Sequence, residues 1–227
     1  MSQTLDFARD GATLFRAALD DTTVKALRSL ADERVGARPG ARLRGDAILA
    51  DLLAANGAIG ALAACLTSAS ARPVRAVMFD KTPEANWAVA WHQDRVLPVA
   101  ERVEVEGFGP WSTKDGLLHV APPFAILART VTLRVHLDLV DAGNALLRAA
   151  LGSHRLGRVA AENVALRAAE HPQIACLAEP GDVWAYATPI LHASDRAAPP
   201  RRRRVLQVDY ADFDLPGGLS WAGLRAP

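Results

Sequence analysis

The chain has 227 residues, of which 50% are hydrophobic, so it can bury a sizeable core and is too apolar to be disordered. Its 26 Lys and Arg residues balance 25 Asp and Glu residues, and the formal charge of +1 argues against a nucleic-acid partner. Cys65 and Cys176 are distant and lack CxxC spacing, as expected of small core residues in a reducing compartment. We therefore expect one cytoplasmic domain over residues 1–227.

The N-terminal part, residues 1–70, has the pattern of helices. Residues 20–35 begin with Asp and Thr capping candidates and continue with apolar residues at helical spacing. The apolar stretch 47–66 is long enough to cross a membrane, but it carries Asp51 and Asn56 and is rich in alanine. We interpret it as one buried helix and expect no membrane partner. The charged N-terminus also lacks the apolar region of a secretory signal.

From residue 72 onward, short apolar runs separated by turn residues predict strands. Helices followed by many short antiparallel strands indicate an α+β fold, with a sandwich or jelly-roll core over 72–213 and the N-terminal helices packed against it. The long irregular insert 100–123 is a candidate lid over a pocket. The predicted strands lie at 72–81, 88–99, 129–140, 144–158, 173–195 (a pair around the turn "EPGD") and 201–213, with a helix at 160–170.

The segment "AVAWHQDRVLPV" (88–99) places His92 and Asp94 two residues apart, so in a strand both side chains project from the same face. Taken alone, this pair also fits a histidine–aspartate hydrogen bond that stabilises a strand. His192 near the end of a later strand supplies a second imidazole. Two imidazoles and one carboxylate form the facial triad of non-haem Fe(II) oxygenases, which leaves coordination positions open.

Arg203 follows His192 by eleven residues and lies on the next predicted strand. Its guanidinium is suited to bidentate recognition of a carboxylate, such as the distal carboxylate of a keto diacid that chelates iron at its other end. Alternation along the strand does not decide whether Arg203 or Arg204 faces the pocket, and the spacing from His192 favours Arg203. Ser194 is placed to donate a further hydrogen bond.

These segments together resemble a known family. "WHQD", then "NALLRAALGSHRLG", then "GDVWAYATPILHASDR" and "RRRRVLQVDYA" are similar to the phytanoyl-CoA dioxygenase family of Fe(II)/2-oxoglutarate-dependent oxygenases, over residues 5–213. The sequence departs from the family pattern at two turns, where Ala145 replaces the usual Gly after Asn and Leu151 replaces the usual Pro before Gly-Ser-His. Both departures concern local backbone geometry rather than metal binding.

The resemblance implies a double-stranded β-helix, the cupin-like jelly roll, with Fe(II) at its mouth. His92, Asp94 and His192 would be both the metal ligands and the catalytic residues, and Arg203 with Ser194 would bind the co-substrate 2-oxoglutarate. The implied reaction consumes O2 and 2-oxoglutarate, releases succinate and CO2, and oxidises a small organic molecule. The family's halogenating members have a small residue at the position of Asp94, so the carboxylate favours hydroxylation here.

Other polar residues are candidates for the pocket. Arg134 and His136 share one face of the strand 129–140, which either lines the cavity or faces solvent. We expect Arg134 to contact 2-oxoglutarate, and we expect substrate contacts from Gln93, Trp111 and His136.

Two other functions remain open at this point. One is a non-catalytic jelly-roll protein that binds or senses a small molecule. The other is a cupin-like enzyme with a different metal and no keto acid. The prime substrate and the oligomeric state cannot be read from the sequence.

Overall fold

The computed structural model describes residues 5–224. The helices within this range are α1 (Phe7–Asp10), α2 (Asp21–Val35), α3 (Ala47–Leu53), α4 (Gly60–Leu66), α5 (Phe124–Leu127) and α6 (Val164–Ala169), with 3-10 turns at Ser153–Arg155 and Ala161–Asn163. The strands are β1 (Ala12–Phe15), β2 (Gly40–Arg42), β3 (Arg72–Lys81), β4 (Val89–His92), β5 (Leu97–Pro98), β6 (Trp111–Lys114), β7 (Leu117–Val120), β8 (Val131–His136), β9 (Leu147–Ala150), β10 (Gln173–Cys176), β11 (Val183–Ala187), β12 (His192–Ser194) and β13 (Arg203–Ala211).

Helix α2 agrees with the sequence prediction. The Asp20 side chain accepts a hydrogen bond from the backbone N–H of Thr23 at 2.7 Å, which satisfies one of the free donors at the start of the helix. The buried side chains of the helix recur at helical spacing and face the sheet; they are Val24, Leu27, Leu30, Ala31 and Val35.

The stretch 47–66 forms two helices, not the single helix predicted. Helix α3 ends before Asn56, and α4 begins at Gly60. A Cβ at Gly57 would clash with the carbonyl oxygen of Asp51, so the chain turns tightly where only glycine fits. None of the helices in residues 5–224 is both long and apolar enough to cross a lipid bilayer.

The N-terminal part is not purely helical, since it also supplies two strands. β1 pairs with β11 and β2 pairs with β3, so each lies at an edge of the same sheet. Both strands are short and are completed by partners that are distant in sequence. Such pairing leaves no local periodicity, and the prediction of helices alone over 1–70 was therefore incomplete.

The core consists of facing antiparallel sheets, as predicted for a jelly roll. The major sheet has the strand order β1-β11-β8-β13-β3-β2, and the minor sheet has the order β10-β9-β12-β4. The predicted strand pair around "EPGD" (173–195) is divided between them, because β10 pairs with β9 whereas β11 pairs with β8. The turn therefore crosses from one sheet to the other instead of closing a hairpin.

The insert 100–123 is more regular than expected. It contains the hairpin β6–β7, which forms a small sheet with β5. Asp115 and Gly116 close the hairpin with φ angles of 48° and 72°, as two-residue hairpin turns require. Asp115 at the tip lines the central cavity, and the function of the insert as a lid stays a prediction.

The major sheet has one apolar and one polar face, and both are buried. The apolar face packs against the N-terminal helices through residues that include Ala76, Met78, Leu133, Val135, Leu206 and Val208. The polar face is turned toward the minor sheet and presents Arg75, Lys81, Thr132, Arg134, Arg203, Gln207 and Asp209. Buried charge is costly unless it is paired, so this face is where a functional site is expected.

Candidate metal centre

Two histidines face each other across neighbouring strands of the minor sheet. His92 on β4 pairs in register with His192 on β12, and their ring centroids are 4.1 Å apart. Asp94 lies beyond the end of β4, in the segment that follows, so it does not share a regular strand face with His92 as predicted. It nevertheless converges on the same point, since one ligand atom from each of the three residues lies within 4.8 Å of the others.

Both imidazoles are oriented by backbone hydrogen bonds. Nδ1 of His92 lies 2.9 Å from the carbonyl oxygen of Ala90, and Nδ1 of His192 lies 2.9 Å from that of Ile190. A carbonyl oxygen only accepts, so Nδ1 carries the proton in each ring. This leaves both Nε2 atoms with a free lone pair, the form in which histidine coordinates a metal.

The protonation states suit metal binding at neutral pH. Burial lowers the pKa of His192 and keeps the imidazole neutral, although the charge of Asp94 opposes this shift. Burial alone would raise the pKa of Asp94, but the neighbouring His192 and Arg75 outweigh it and hold the pKa below its usual value. The site therefore offers a neutral His192 imidazole and an ionised Asp94 carboxylate beside the ring of His92.

A chain of polar contacts holds the carboxylate of Asp94 in place from the major sheet. Nη2 of Arg75 lies 3.9 Å from Oδ2 of Asp94, and its Nε donates to Oδ2 of Asp209 at 2.5 Å. Thr132 donates in turn to Oδ1 of Asp209 at 3.0 Å. Arg75, which sequence reasoning did not identify, thus links the triad to the polar face of the major sheet.

A cluster of buried cations lies beside the triad. Arg203 is 2% exposed, and its Nε and Nη1 have no hydrogen-bond partner among residues 5–224. Nη1 of Arg134 donates to Gln207 at 2.8 Å, while its Nε is likewise without a partner in that range. Lys81 is paired with Arg203 in the β3–β13 register and completes the cluster.

The Lys81 ammonium has only neutral partners. Its Nζ donates to Oγ of Ser194 at 3.1 Å and to the carbonyl oxygens of Trp87 at 2.7 Å and Asp195 at 3.1 Å. Burial, with the nearby Arg203 and Arg134, lowers the pKa of Lys81 to about 7. Burial and Arg134 also lower the pKa of Arg203 to about 9. These shifts indicate a site that lacks a negative charge.

Arg203 differs from the other arginines of the run "RRRR". Each of its three neighbours forms an ion pair within residues 5–224: Arg201 with Asp141, Arg202 with Asp80 and Asp32, and Arg204 with Asp138 and Asp32. Arg203 alone points into the cavity, which is the orientation that the spacing from His192 favoured.

Three residues predicted to contact substrate do not line the cavity. The amide of Gln93 is occupied by the backbone: it donates to Gly157 and Pro189 and accepts from Val159. Trp111 instead packs in an apolar cluster beneath the hairpin β6–β7. Gln93 lies between two predicted metal ligands in the sequence, and Trp111 lies in the insert 100–123. Neither position determines the direction in which the side chain points.

His136 is fully buried, and both its ring nitrogens lack partners among the described residues. Burial and the neighbouring Arg134 and Arg203 lower its pKa well below the usual value, so the ring is neutral. It lies next to the cation cluster and is not among the residues that line the cavity, so its contact with substrate stays a prediction.

The cavity in front of these groups has a volume of about 850 Å³, which is at the upper end for small-molecule sites. The triad and the cation cluster line this cavity. Arg42 and Asp115 also line it, together with apolar and aromatic side chains, namely Ala41, Val77, Phe79, Trp87, Val89 and Leu147.

Comparison with known proteins agrees with this geometry. The model of the phytanoyl-CoA dioxygenase (PhyH) family matches residues 7–205. A search of curated protein sequences finds no match.

Many solved structures share the fold. EctD from S. alaskensis superposes with a TM-score of 0.68 at 18% identity, covering 97% of this chain and 79% of EctD. AviO1 from Streptomyces viridochromogenes has a TM-score of 0.63 at 23% identity, covering 95% of this chain and 99% of AviO1. HygX from Streptomyces hygroscopicus, solved with nickel and 2-oxoglutarate bound, has a TM-score of 0.61 at 16% identity, with coverage of 90% and 84%.

Proposed function

Because the chain belongs to the phytanoyl-CoA dioxygenase family, we propose that it is an Fe(II)/2-oxoglutarate-dependent dioxygenase that hydroxylates a small organic molecule. Iron and 2-oxoglutarate are the cofactors of that family, in agreement with the sequence prediction. The observation that carries the proposal is a buried cation cluster that has no carboxylate partner among residues 5–224 and that lines the same cavity as the His-Asp-His triad.

The triad fits ferrous iron. Two neutral imidazoles with free Nε2 atoms and one carboxylate are the donor set of the facial triad, which leaves positions for a chelating co-substrate and O2. His92, His192 and Asp94 would hold the ion. When bound, iron supplies the activation of O2 that an organic side chain cannot provide.

The cation cluster fits the distal carboxylate of 2-oxoglutarate. The unpartnered N–H groups of Arg203 and Arg134 provide donors in a dry environment, and the ammonium of Lys81 adds a third positive charge. Ser194 contributes through Lys81. Its hydroxyl oxygen accepts a hydrogen bond from Nζ of Lys81, and its own proton is donated to the carbonyl oxygen of Ala145 at 3.2 Å. The negative charge of that carboxylate would reduce the mutual repulsion of these cations.

The donor set and the cavity walls support hydroxylation as the proposed outcome of the reaction. Asp94 retains the carboxylate that a halide would have to replace, which supports hydroxylation. The apolar side chains in front of the triad exclude water from the reacting C–H bond and limit the substrate to a small molecule.

The test is whether the purified protein converts 2-oxoglutarate to succinate when Fe(II), ascorbate and O2 are supplied. We expect slow succinate formation without a prime substrate and faster formation when a screen of metabolites supplies one. Asp94→Ala is the matched control, since it removes one ligand and should abolish both rates while the thermal unfolding midpoint changes little. A protein that binds 2-oxoglutarate but forms no succinate under any condition would instead be a small-molecule binding or sensor protein.

A further inference from the structure

The charges that line the cavity are not all explained by iron and 2-oxoglutarate. Arg75 is paired with Asp209, and Arg134, Arg203 and Lys81 form the cluster assigned to the co-substrate. The remaining cation is Arg42, on the edge strand β2.

Arg42 is well separated from Arg203, the proposed anchor of the co-substrate carboxylate. In the sheet it pairs with Val77 of β3, whereas Arg203 pairs with Lys81, four residues further along the same strand. Four residues of strand span about 13 Å, and Arg42 and Arg203 lie on opposite sides of β3. Arg42 is instead close to Arg75, which contacts the metal-binding carboxylate, so it faces the part of the cavity left for the prime substrate.

The present partner of Arg42 is replaceable. Its Nη1 forms an ion pair with Asp115 at the tip of the hairpin β6–β7, and its Nε is buried without a partner among residues 5–224. The side chain of Asp115 is 73% exposed and that of Arg42 is 17% exposed. An ion pair with one well-hydrated member contributes little, typically about 0–1 kcal/mol, so a carboxylate bound on the inner side of Arg42 can displace Asp115.

A second cavity with several arginines lies next to Arg42 and favours the binding of an anion there. It has a volume of about 640 Å³ and shares β2 and the Arg42–Asp115 pair as a common wall with the central cavity. Arg34, Arg38 and Arg44 line it together with Asp46, so its field is positive on balance and favours anions.

We propose that the prime substrate is a small organic carboxylate, whose carboxylate binds Arg42 in place of Asp115 while its apolar body lies against Val77, Phe79 and Trp87. This inference rests on the proposed function, since it takes the inner cation cluster to be occupied by 2-oxoglutarate. One guanidinium with an apolar wall matches one carboxylate better than a phosphate dianion, which needs more donors.

The test compares two probes of nearly equal shape, benzoate and benzamide, by titration calorimetry. The protein is first loaded with Fe(II) and 2-oxoglutarate without oxygen, so that the inner cluster is filled. We expect benzoate to bind more tightly than benzamide. Arg42→Gln should weaken benzoate binding about 10- to 100-fold and remove the difference between the probes, because a charge-assisted hydrogen bond is lost. Asp115→Asn should strengthen benzoate binding, because a competing carboxylate is removed.

Arg167→Gln is the matched control, since it breaks an exposed arginine–carboxylate pair with Glu170, on and beside α6, and should leave benzoate binding unchanged. The inference is wrong if wild-type protein fails to prefer benzoate, if Arg42→Gln binds it normally, or if phenyl phosphate binds more tightly than benzoate. The loading step separates this result from the proposed function. Failure of 2-oxoglutarate to bind contradicts the proposed function, whereas normal loading without a preference for benzoate contradicts only the role of Arg42.

Discussion

The two faces of the major sheet are built from the same strands and have opposite chemistry. In β8, Leu133 and Val135 lie on the apolar face, while Arg134 and His136 alternate with them on the polar face, and all four are buried. The apolar face loses water and gains packing against the helices. The polar face brings cations together in a place where they repel one another and are poorly solvated.

The difference assigns separate roles to the two faces. The apolar face stabilises the fold whether or not a ligand is present. The polar face is unfavourable in the ligand-free protein and becomes favourable when an anion and a metal ion are bound, since ligand binding to the native state adds directly to its stability. Substitutions on the two faces should therefore have opposite effects on stability and on binding.

The largest loss of activity is expected from a substitution of His192, on the minor sheet opposite the polar face. His192→Ala removes one of the imidazoles that hold iron, so it should abolish succinate formation and lower Fe(II) affinity by at least 10-fold. The ligand-free protein should unfold at a nearly unchanged temperature. Equilibrium dialysis with Fe(II) measures the affinity, and wild-type affinity in the variant would contradict the assignment of the ligand.

A substitution on the apolar face should show the opposite behaviour. Leu133→Ala leaves a cavity between the sheet and the helices and should lower the free energy of unfolding by about 2–5 kcal/mol. At a temperature where the variant is folded, its dissociation constant for 2-oxoglutarate should match that of the wild type. Urea unfolding and an anaerobic titration give the two values. A large change in affinity would show that the faces are coupled.

Arg203→Gln tests the polar face in the same two measurements. It should weaken 2-oxoglutarate binding about 10- to 100-fold, or on the order of 1.4–2.7 kcal/mol, because a buried charge-assisted contact is lost. The ligand-free protein should be at least as stable as the wild type, since a buried cation without a carboxylate is removed. Arg201→Gln is the control, because Arg201 pairs with Asp141 at the surface. If the two variants bind 2-oxoglutarate equally well, Arg203 is not its anchor.

The alternation of residues 129–140 predicted the two faces of β8. The residue types of His92, Asp94 and His192, with the resemblance to the family, predicted that these three side chains come together. The alternation did not show what covers the polar face. A strand that alternates polar and apolar residues usually faces water on one side. Here the minor sheet closes over that side, and this is a property of the topology rather than of any local segment.

Other differences between sequence and structure have similar physical causes. The positions of Gln93 and Trp111 in the sequence were visible, but the direction of each side chain depends on partners distant in sequence. Arg42 lies in a Gly- and Pro-containing stretch without a strand pattern, and β2 forms there because β3 offers an unpaired edge. Ala145 adopts a left-handed conformation, φ 52°, which is the conformation that glycine favours, at the position where the resemblance leads us to expect glycine.

The smallest effect is a pH dependence that arises from Lys81. Its pKa of about 7 in the ligand-free protein reflects burial and the charges of Arg203 and Arg134, which outweigh the opposing charge of Asp195. As the pH rises through 7, Lys81 loses its proton, and the affinity for 2-oxoglutarate should fall several-fold. Because the unfolded chain keeps this proton up to about pH 10.4, the ligand-free protein should also become more stable as the pH rises above 7.

Lys81→Met separates this titration from the other ionisable groups. The variant should bind 2-oxoglutarate with lower affinity and without the decline above pH 7, and its ligand-free form should lack that part of the rise in stability. Calorimetric titrations and urea unfolding between pH 6 and about pH 9, where lysine titration in the unfolded chain is still small, give both quantities. An unchanged pH profile in the variant would place the titration elsewhere. It would also show that the polar face tolerates its cations without losing a proton.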